Sequence, residues 1–396
     1  MLRQMRIGDE LKRRLEGIRG DLLRDKEISA DIPCRETSDA ARLCADPIVS
    51  VCMITYNHEK YLQQAIDGVM AQVTDFAYEL ILAEDCSTDG TRAICLANQA
   101  RHPDRIRVLW SDANVGMSRN ADRAQKACRG EFVAVCEGDD YWVNPSKLQK
   151  QVDLMRRHPS AGICFAGNDI FYEFNGFFSP YDPKRAPEEF VASRDFCWRL
   201  LFARGDRGFY IQNLHTSTHL LRRAAMEKAK EDFEDAYRWT LRQGDVTLLF
   251  TVAAVSDVCF LGARCSVYRM NDGGVTRSVG ARSLMDGDFL KVYFCMKVFG
   301  WPFETAFAAF SDLLVNRWVK IALESSPDVQ RDLARAIERS PDLRRAFGRW
   351  HCRGFFRALA RGALTKRHYK LLRPLFSLGA HLSKWKVRRR LQRQGP

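Results

Sequence analysis

The chain has 396 residues, 46% of them hydrophobic, and a formal net charge of +13. That is enough apolar material for one large domain with extensions, and no apolar run reaches the ~18–20 residues that span a bilayer. The charge is local, because residues 341–396 hold 16 Lys/Arg and one Asp and leave the remainder of the chain at about −2. A nearly neutral body argues against a nucleic-acid enzyme with basic charge spread over its surface.

The start, "MLRQMRIGDELKRRLEG", is charged throughout and has no apolar core of a secretory signal. Thirteen cysteines run from Cys34 to Cys352 without a CxxC pair or zinc spacing, so a reduced cytoplasmic compartment is expected. Residues 1–46 read as an N-terminal helical extension, with Leu11, Leu15, Ile18 and Leu22 at helical spacing before a segment of little pattern.

From Pro47 the pattern changes. "IVSVCMIT" (48–55) reads as a strand buried on both faces, and 57–72 as a helix capped by Asn57. A strand at 79–83, a helix at 91–101, a strand at 105–110, a helix over about 118–129 and a strand at 131–136 follow. This β-α-β-α-β-α-β order predicts an α/β fold with a mostly parallel central sheet flanked by helices. A helix at 144–159 with Asn144 as cap and Pro145 in its first turn comes next. Strand-like runs at 161–172, 208–213, 216–221 and 257–268 alternate with helices near 191–203, 222–233 and 245–254, and from 281 onward the pattern is helical. The expected division is 1–46, 47–280 (47–170 and 171–280 as its two halves) and 281–396.

In such sheets ligands bind at the carboxyl ends of the strands. There stand "TYN" (55–57), "EDCSTDG" (84–90) and "EGDD" (137–140), and the chain has neither GxGxxG nor GxxxxGK[ST] to cradle phosphates. Glu137 and Asp139, two apart, project to one face. Carboxylates ~5 Å apart repel by about 3 kcal/mol at an effective dielectric of 20. Bound Mg²⁺ or Mn²⁺ turns that repulsion into attraction, since such ions favour a few carboxylates plus phosphate oxygens. The bland alternative is a solvated turn or a helix cap. Glu84 and Asp85 are surplus to capping and can accept from a base N–H or a ribose hydroxyl, or serve structure.

"PIVSVCMITYN", "ELILAEDCSTDGT", "NVGMSRN", "GEFVAVCEGDDYW" and "PSKLQKQ" follow in an order and spacing that resembles the family 2 glycosyltransferases, strongly over 47–170 and more loosely over 171–280. The resemblance implies a GT-A fold that is Rossmann-like. It places Thr55, Tyr56 and Asn57 at a pyrimidine nucleotide, Glu84 and Asp85 on base and ribose, and Arg119 and Asn120 near the nucleotide. It aligns the DxD motif with Glu137-Gly138-Asp139, making Asp139 the main metal ligand. Glu137, one methylene longer than the common Asp, is left to metal or ribose, and Asp140 to sugar or loop. It makes Asp245 the base and sets Tyr268 and Arg269 on the element that closes over the diphosphate. Asn271 stands where some relatives have a histidine ligand. His215 and His219 read as structural or acceptor-lining.

The mechanism so implied is a single displacement with inversion. A nucleotide-sugar donor, UDP-sugar favoured, gives its sugar to a hydroxyl of a glycan or lipid-linked acceptor in surface polysaccharide synthesis. The alternative is a non-catalytic nucleotide-sugar-binding or membrane-assembly subunit. Leu371, Leu375, Leu378, Leu382 and Trp385 form an apolar stripe in the basic tail. Residues 353–393 therefore suit an anionic membrane surface, and peripheral attachment to the cytoplasmic face is expected.

Overall fold

The computed structural model describes residues 33–202, 214–239, 244–271, 281–307, 309–310, 319, 323, 327–339 and 353–363. Those from 33 to 271 fall in one compact unit and those from 281 onward in another.

The first unit is built on Val49–Thr55 (β2), whose apolar run is buried on both faces as its sequence predicts. Tyr78–Glu84 (β3) lies parallel to it with Thr55 opposite Glu84, and Ile106–Trp110 (β4) lies parallel to β3. Phe132–Val135 (β5) flanks β2 on the other side, also parallel. Helices Leu62–Met70, Thr91–Arg101 and Met117–Ala127 form the crossovers. Leu62, Ile66 and Val69 bury one face of the first helix in the core with Leu80, Leu82 and Phe132.

Beyond β5 the strand directions are mixed. Leu220–Arg222 (β10) is antiparallel to both β5 and Ala161–Tyr172 (β7). Asp257–Met270 (β11) runs parallel to β7, with its register shifting at bulges around Arg264. Tyr141–Trp142 (β6), Phe177–Ser179 (β8) and Phe190–Val191 (β9) pair antiparallel with β11, β7 and β11. The sheet is mixed but mostly parallel and flanked by helices. In the second unit, helices Ala281–Phe299, Pro327–Arg339 and Arg353–Ala360 are described. Among the described residues no helix is long and apolar enough to cross a membrane.

Several local expectations are corrected. The helix expected from Asn57 begins at Leu62, and Asn57 takes a left-handed φ of 54° in the turn before it. The helix expected at 144 begins at Lys147, with Asn144 accepting from the Ser146 N–H in the entry turn. The strand expected over 216–221 is a single 3-10 turn, Thr216–Thr218, followed by β10. Arg35–Thr37 (β1), placed in the extension, pairs with β4 as an edge strand. The run at 208–213, the helix of 1–32 and the tail from 364 lie outside the described residues.

One buried acid holds the amino end of the sheet. Glu79 is fully buried on β3 and accepts from Ser50 Oγ, twice from the Arg129 guanidinium and from Arg107 Nη1. Burial alone would raise its pKa, but Arg129, Ser50 and Arg107 outweigh it and hold the pKa below the ordinary value. Glu79→Ala leaves two partly buried arginines without their shared partner. Urea unfolding should show a loss of about 3–5 kcal/mol. A depressed folded-state pKa stabilises above the unfolded value, so this contribution should vanish as pH falls below about 4.5 and on through the folded-state pKa.

Candidate active site

Parallel pairing brings the ends of β2, β3 and β5 to one edge. Antiparallel β10 adds the segment before it, because its start lies where its neighbours end. β11 adds Arg269 and Asn271. The acids of 137–140 therefore meet side chains more than seventy residues away in the chain.

Asp140 is buried and both its oxygens are engaged. Oδ1 accepts from the Arg269 N–H at 2.9 Å, and Oδ2 accepts from Ser217 Oγ with His215 Nδ1 3.5 Å away. Ser217 also accepts from the Glu137 N–H, and its carbonyl accepts from Trp142 Nε1. Asp139 Oδ2 accepts from Asn271 Nδ2 at 3.0 Å, and the Asp139 carbonyl accepts from Arg269 Nε at 2.9 Å. The Arg269 guanidinium also donates to Gln64 and lies over the rings of Tyr61 and Tyr141, at 4.8 and 5.2 Å. It braces the loop from below.

No described residue donates a hydrogen bond to the Glu137 carboxylate. Burial, and then the charges of Asp139, Asp140 and Asp245, push its pKa well above the ordinary range. Asp140 is raised likewise by burial and Asp139, with Ser217 and Arg269 opposing. Asp245 opens helix Gly244–Val255. It is open to solvent, yet the surrounding protein raises its pKa by desolvation, a combination that fits the wall of a cleft.

Among the described residues no three Asp, Glu, His or Cys side chains form a ready metal cage. The donor set nonetheless suits a hard divalent ion that brings phosphate oxygens of its own. Asp140 is committed inside the protein, so of the three acids Asp139 and Glu137 are those that could hold a cation. Asn271 orients Asp139 through its amide N–H.

Nearer the first strands, Thr55 is buried with its hydroxyl unpartnered, and Tyr56 is 43% exposed. Asn57 spans two loops, receiving Thr88 N–H on Oδ1 and donating its own N–H to Ser87 Oγ. Glu84 is fully buried and pairs with Arg92 Nε at 2.6 Å. Asp85 accepts from the N–H groups of Val115 and Gly116 at 2.7 and 2.9 Å, and burial raises its pKa. Asn120 is buried on the Ala83 carbonyl, and Arg119 is exposed one residue before it. Glu84, Asp85 and Asn57 thus hold the edge loops together.

Sequence reasoning missed two residues here. His58 has a buried, unpartnered Nδ1 beside Gly138, and nothing in "TYNHEKY" singles it out. Ser217 gives no signal in the sequence, because its role depends on β10 being antiparallel. His215 stacks on Tyr268 with centroids 3.9 Å apart, and burial, with His219, pushes its pKa down to about 3. It is a neutral partner for Asp140.

The family model of glycosyl transferase family 2 matches residues 50–227, the segment that carries this edge. Residues 50–227 belong to that family. An uncharacterized protein of Mycobacterium tuberculosis, Rv1520, is 42% identical over 135 residues, 34% of this chain and 39% of that protein. TuaG of Bacillus subtilis, described as a putative teichuronic acid biosynthesis glycosyltransferase, is 34% identical over 31% of this chain and 48% of its own length. The chain therefore spans less than half of these curated relatives. The structure of S. aureus TarS 1–349 with UDP is 20% identical over 88% of this chain and 92% of that one, with a TM-score of 0.51, and shares the fold. The family 2 domain accordingly has the GT-A-like sheet expected from its motifs.

Gly138 tests how tightly the motif is set. A Cβ there would lie 2.8 Å from His58 Nδ1 and 2.9 Å from Ile54 O and Thr55 Oγ1. Gly138→Ala should shift Asp139 and weaken calorimetric binding of a manganese–nucleoside diphosphate at least about tenfold, since small misplacements at such sites are costly. Unchanged affinity would show that the close approach is not needed.

Proposed function

We propose that this chain is an inverting, metal-dependent glycosyltransferase. It moves a sugar from a nucleotide-diphosphate sugar to a hydroxyl of a glycan or lipid-linked acceptor in surface polysaccharide synthesis. The observation that carries this is the cluster Glu137, Asp139 and Asp140 at the sheet edge of a family 2 domain, with less compensating charge than it requires. The description of TuaG supports a polysaccharide pathway, and UDP in the TarS structure supports a UDP-sugar donor.

Asp139 and Glu137 would hold a divalent cation, Mn²⁺ or Mg²⁺, whose chemistry is to neutralise the charge that grows on the departing diphosphate. The chain's own groups do the rest. Tyr56 offers an exposed ring face to a base, with Thr55 and Asp85 beside it. Asp245 accepts the proton of the acceptor hydroxyl, and desolvation by the surrounding protein makes it a stronger base than a free aspartate. The acceptor oxygen forms its bond to the anomeric carbon as the carbon–phosphate oxygen bond breaks on the opposite face. The nucleoside diphosphate leaves with the electron pair. Asn271 and Arg269 keep Asp139 aimed, and Ser217 and His215 keep Asp140 from turning into the cleft.

The test is nucleoside diphosphate release from UDP-, GDP- and dTDP-sugars with manganese and a panel of glycan and lipid-linked acceptors. Asp245→Asn should lower kcat by about 10²–10⁴-fold with donor binding kept. Asp139→Asn should weaken donor binding itself. Donor binding without turnover on every acceptor would favour a non-catalytic nucleotide-sugar-binding subunit, and full rate in Asp245→Asn would remove Asp245 as the base.

A further inference from the structure

The hairpin of β7 and β8 is unused by the chemistry above. Its strands pair Ile170 with Ser179, Phe171 with Phe178 and Tyr172 with Phe177, and Gly176 makes the turn at φ 66°. β7 runs parallel to β11, which carries Arg269 and Asn271, so the tip stands beyond the edge that bears the acids. Phe174, Phe177 and Phe178 are 52%, 57% and 40% exposed, far more than side chains of this kind usually are when clustered. Residues 174–181, "FNGFFSPY", carry no charge.

We propose that this tip is a membrane-docking element that seats in the interface of an anionic lipid bilayer. Three observations favour lipid over a sugar. First, the rings pack on one another, Tyr172 with Phe174 edge-to-face at 5.9 Å and with Phe177 tilted at 5.6 Å, so part of their surface is spent within the cluster and not on a sugar ring. Second, the turn satisfies two of its own backbone donors, with Asn175 N–H on the Tyr172 carbonyl and Phe177 N–H on Asn175 Oδ1. Those two donors need no water when the turn enters an apolar phase. Third, the base of the tip carries no net negative charge to oppose an anionic surface, since Glu173 is offset by Lys60 and Asp182 by Lys184. Glu173 is paired with Lys60 Nζ and receives the Tyr61 hydroxyl, and the exposed Lys184 follows the tip. The strongly basic segment 341–396 suits such a surface. Docking by this tip sets the acid-bearing edge at the bilayer surface. Why that is useful rests on the lipid-linked acceptor of the preceding reading, but the docking itself does not.

The experiment uses the full chain and phosphatidylcholine vesicles with about a third phosphatidylglycerol and no acceptor. Co-sedimentation is measured at about 0.5 M salt, which screens the basic tail and leaves apolar insertion. Phe174→Ser/Phe177→Ser should lower the partition coefficient at least about tenfold. In the separate variant Phe177→Trp, the emission of the introduced indole should shift to the blue on vesicle binding and be quenched by brominated lipid. Equal partitioning of wild type and the double variant overturns the proposal, as does an indole signal at that position indifferent to bound lipid. A double variant that changes the free protein from dimer to monomer while its vesicle binding stays intact assigns the surface to a second copy instead. Because no sugar transfer is read, a wrong activity leaves this result standing, and a wrong docking surface leaves the activity standing.

Discussion

The constraint on which the site depends is negative charge gathered where water is scarce. At the amino end of the sheet Glu79 meets Arg129 and Arg107, and its pKa falls. At the carboxyl end Glu137 and Asp140 sit among other acids, and their pKa values rise. The same sheet thus carries one acid cluster that is balanced internally and one that is not. Structural ion networks and ligand sites both perturb acids, but the direction separates them here. An acid that arginines hold ionised needs nothing further, whereas acids that oppose one another's ionisation are stabilised by a cation.

The described residues stop short of supplying that cation. Arg269 reaches the loop, yet it spends its guanidinium on the Asp139 carbonyl, Gln64 and three aromatic rings. Asp139 and Asp140 receive dipoles instead, from an amide, a hydroxyl and a backbone N–H. Dipoles fix the direction of a carboxylate without cancelling its charge. Asp139 is thereby pre-oriented while its charge remains available, which lowers the reorganisation needed when a charged ligand arrives.

Much of the first half was legible because its strands are apolar runs and its turns are polar clusters. β2, β3, β4 and β5 fall within a residue or two of where the pattern puts them. The motif acids were legible for the same reason, since each follows a strand end. What failed was local and tertiary in cause. Asn57 resembles a cap, but its side chain is drawn to Thr88 across the edge, and the chain needs five more residues before the helix starts. "THLLRR" alternates like a longer strand, but the segment before Leu220 must turn to bring Ser217 under Asp140. No one-dimensional pattern announces that β10 runs against its neighbours. Arg35–Thr37 is too short and too polar to be read as a strand until β4 offers its edge.

The three acids of the motif are unequal in a way their spacing alone does not reveal. Asp140 is held at both oxygens by the second half of the domain, so its role lies in tying the halves together. Asp139 keeps one oxygen uncommitted. Glu137 receives no donor from any described residue and feels three neighbouring acids. The resemblance to the family puts the weight on Asp139, but the electrostatic demand is concentrated at Glu137. Its extra methylene, the departure from the common motif, gives that demand reach. A longer carboxylate can move toward a bound cation or its water after the fixed Asp139 has set the position. On the function proposed above, a rigid and an adjustable ligand in one motif would suit a site that grips a diphosphate and later releases it.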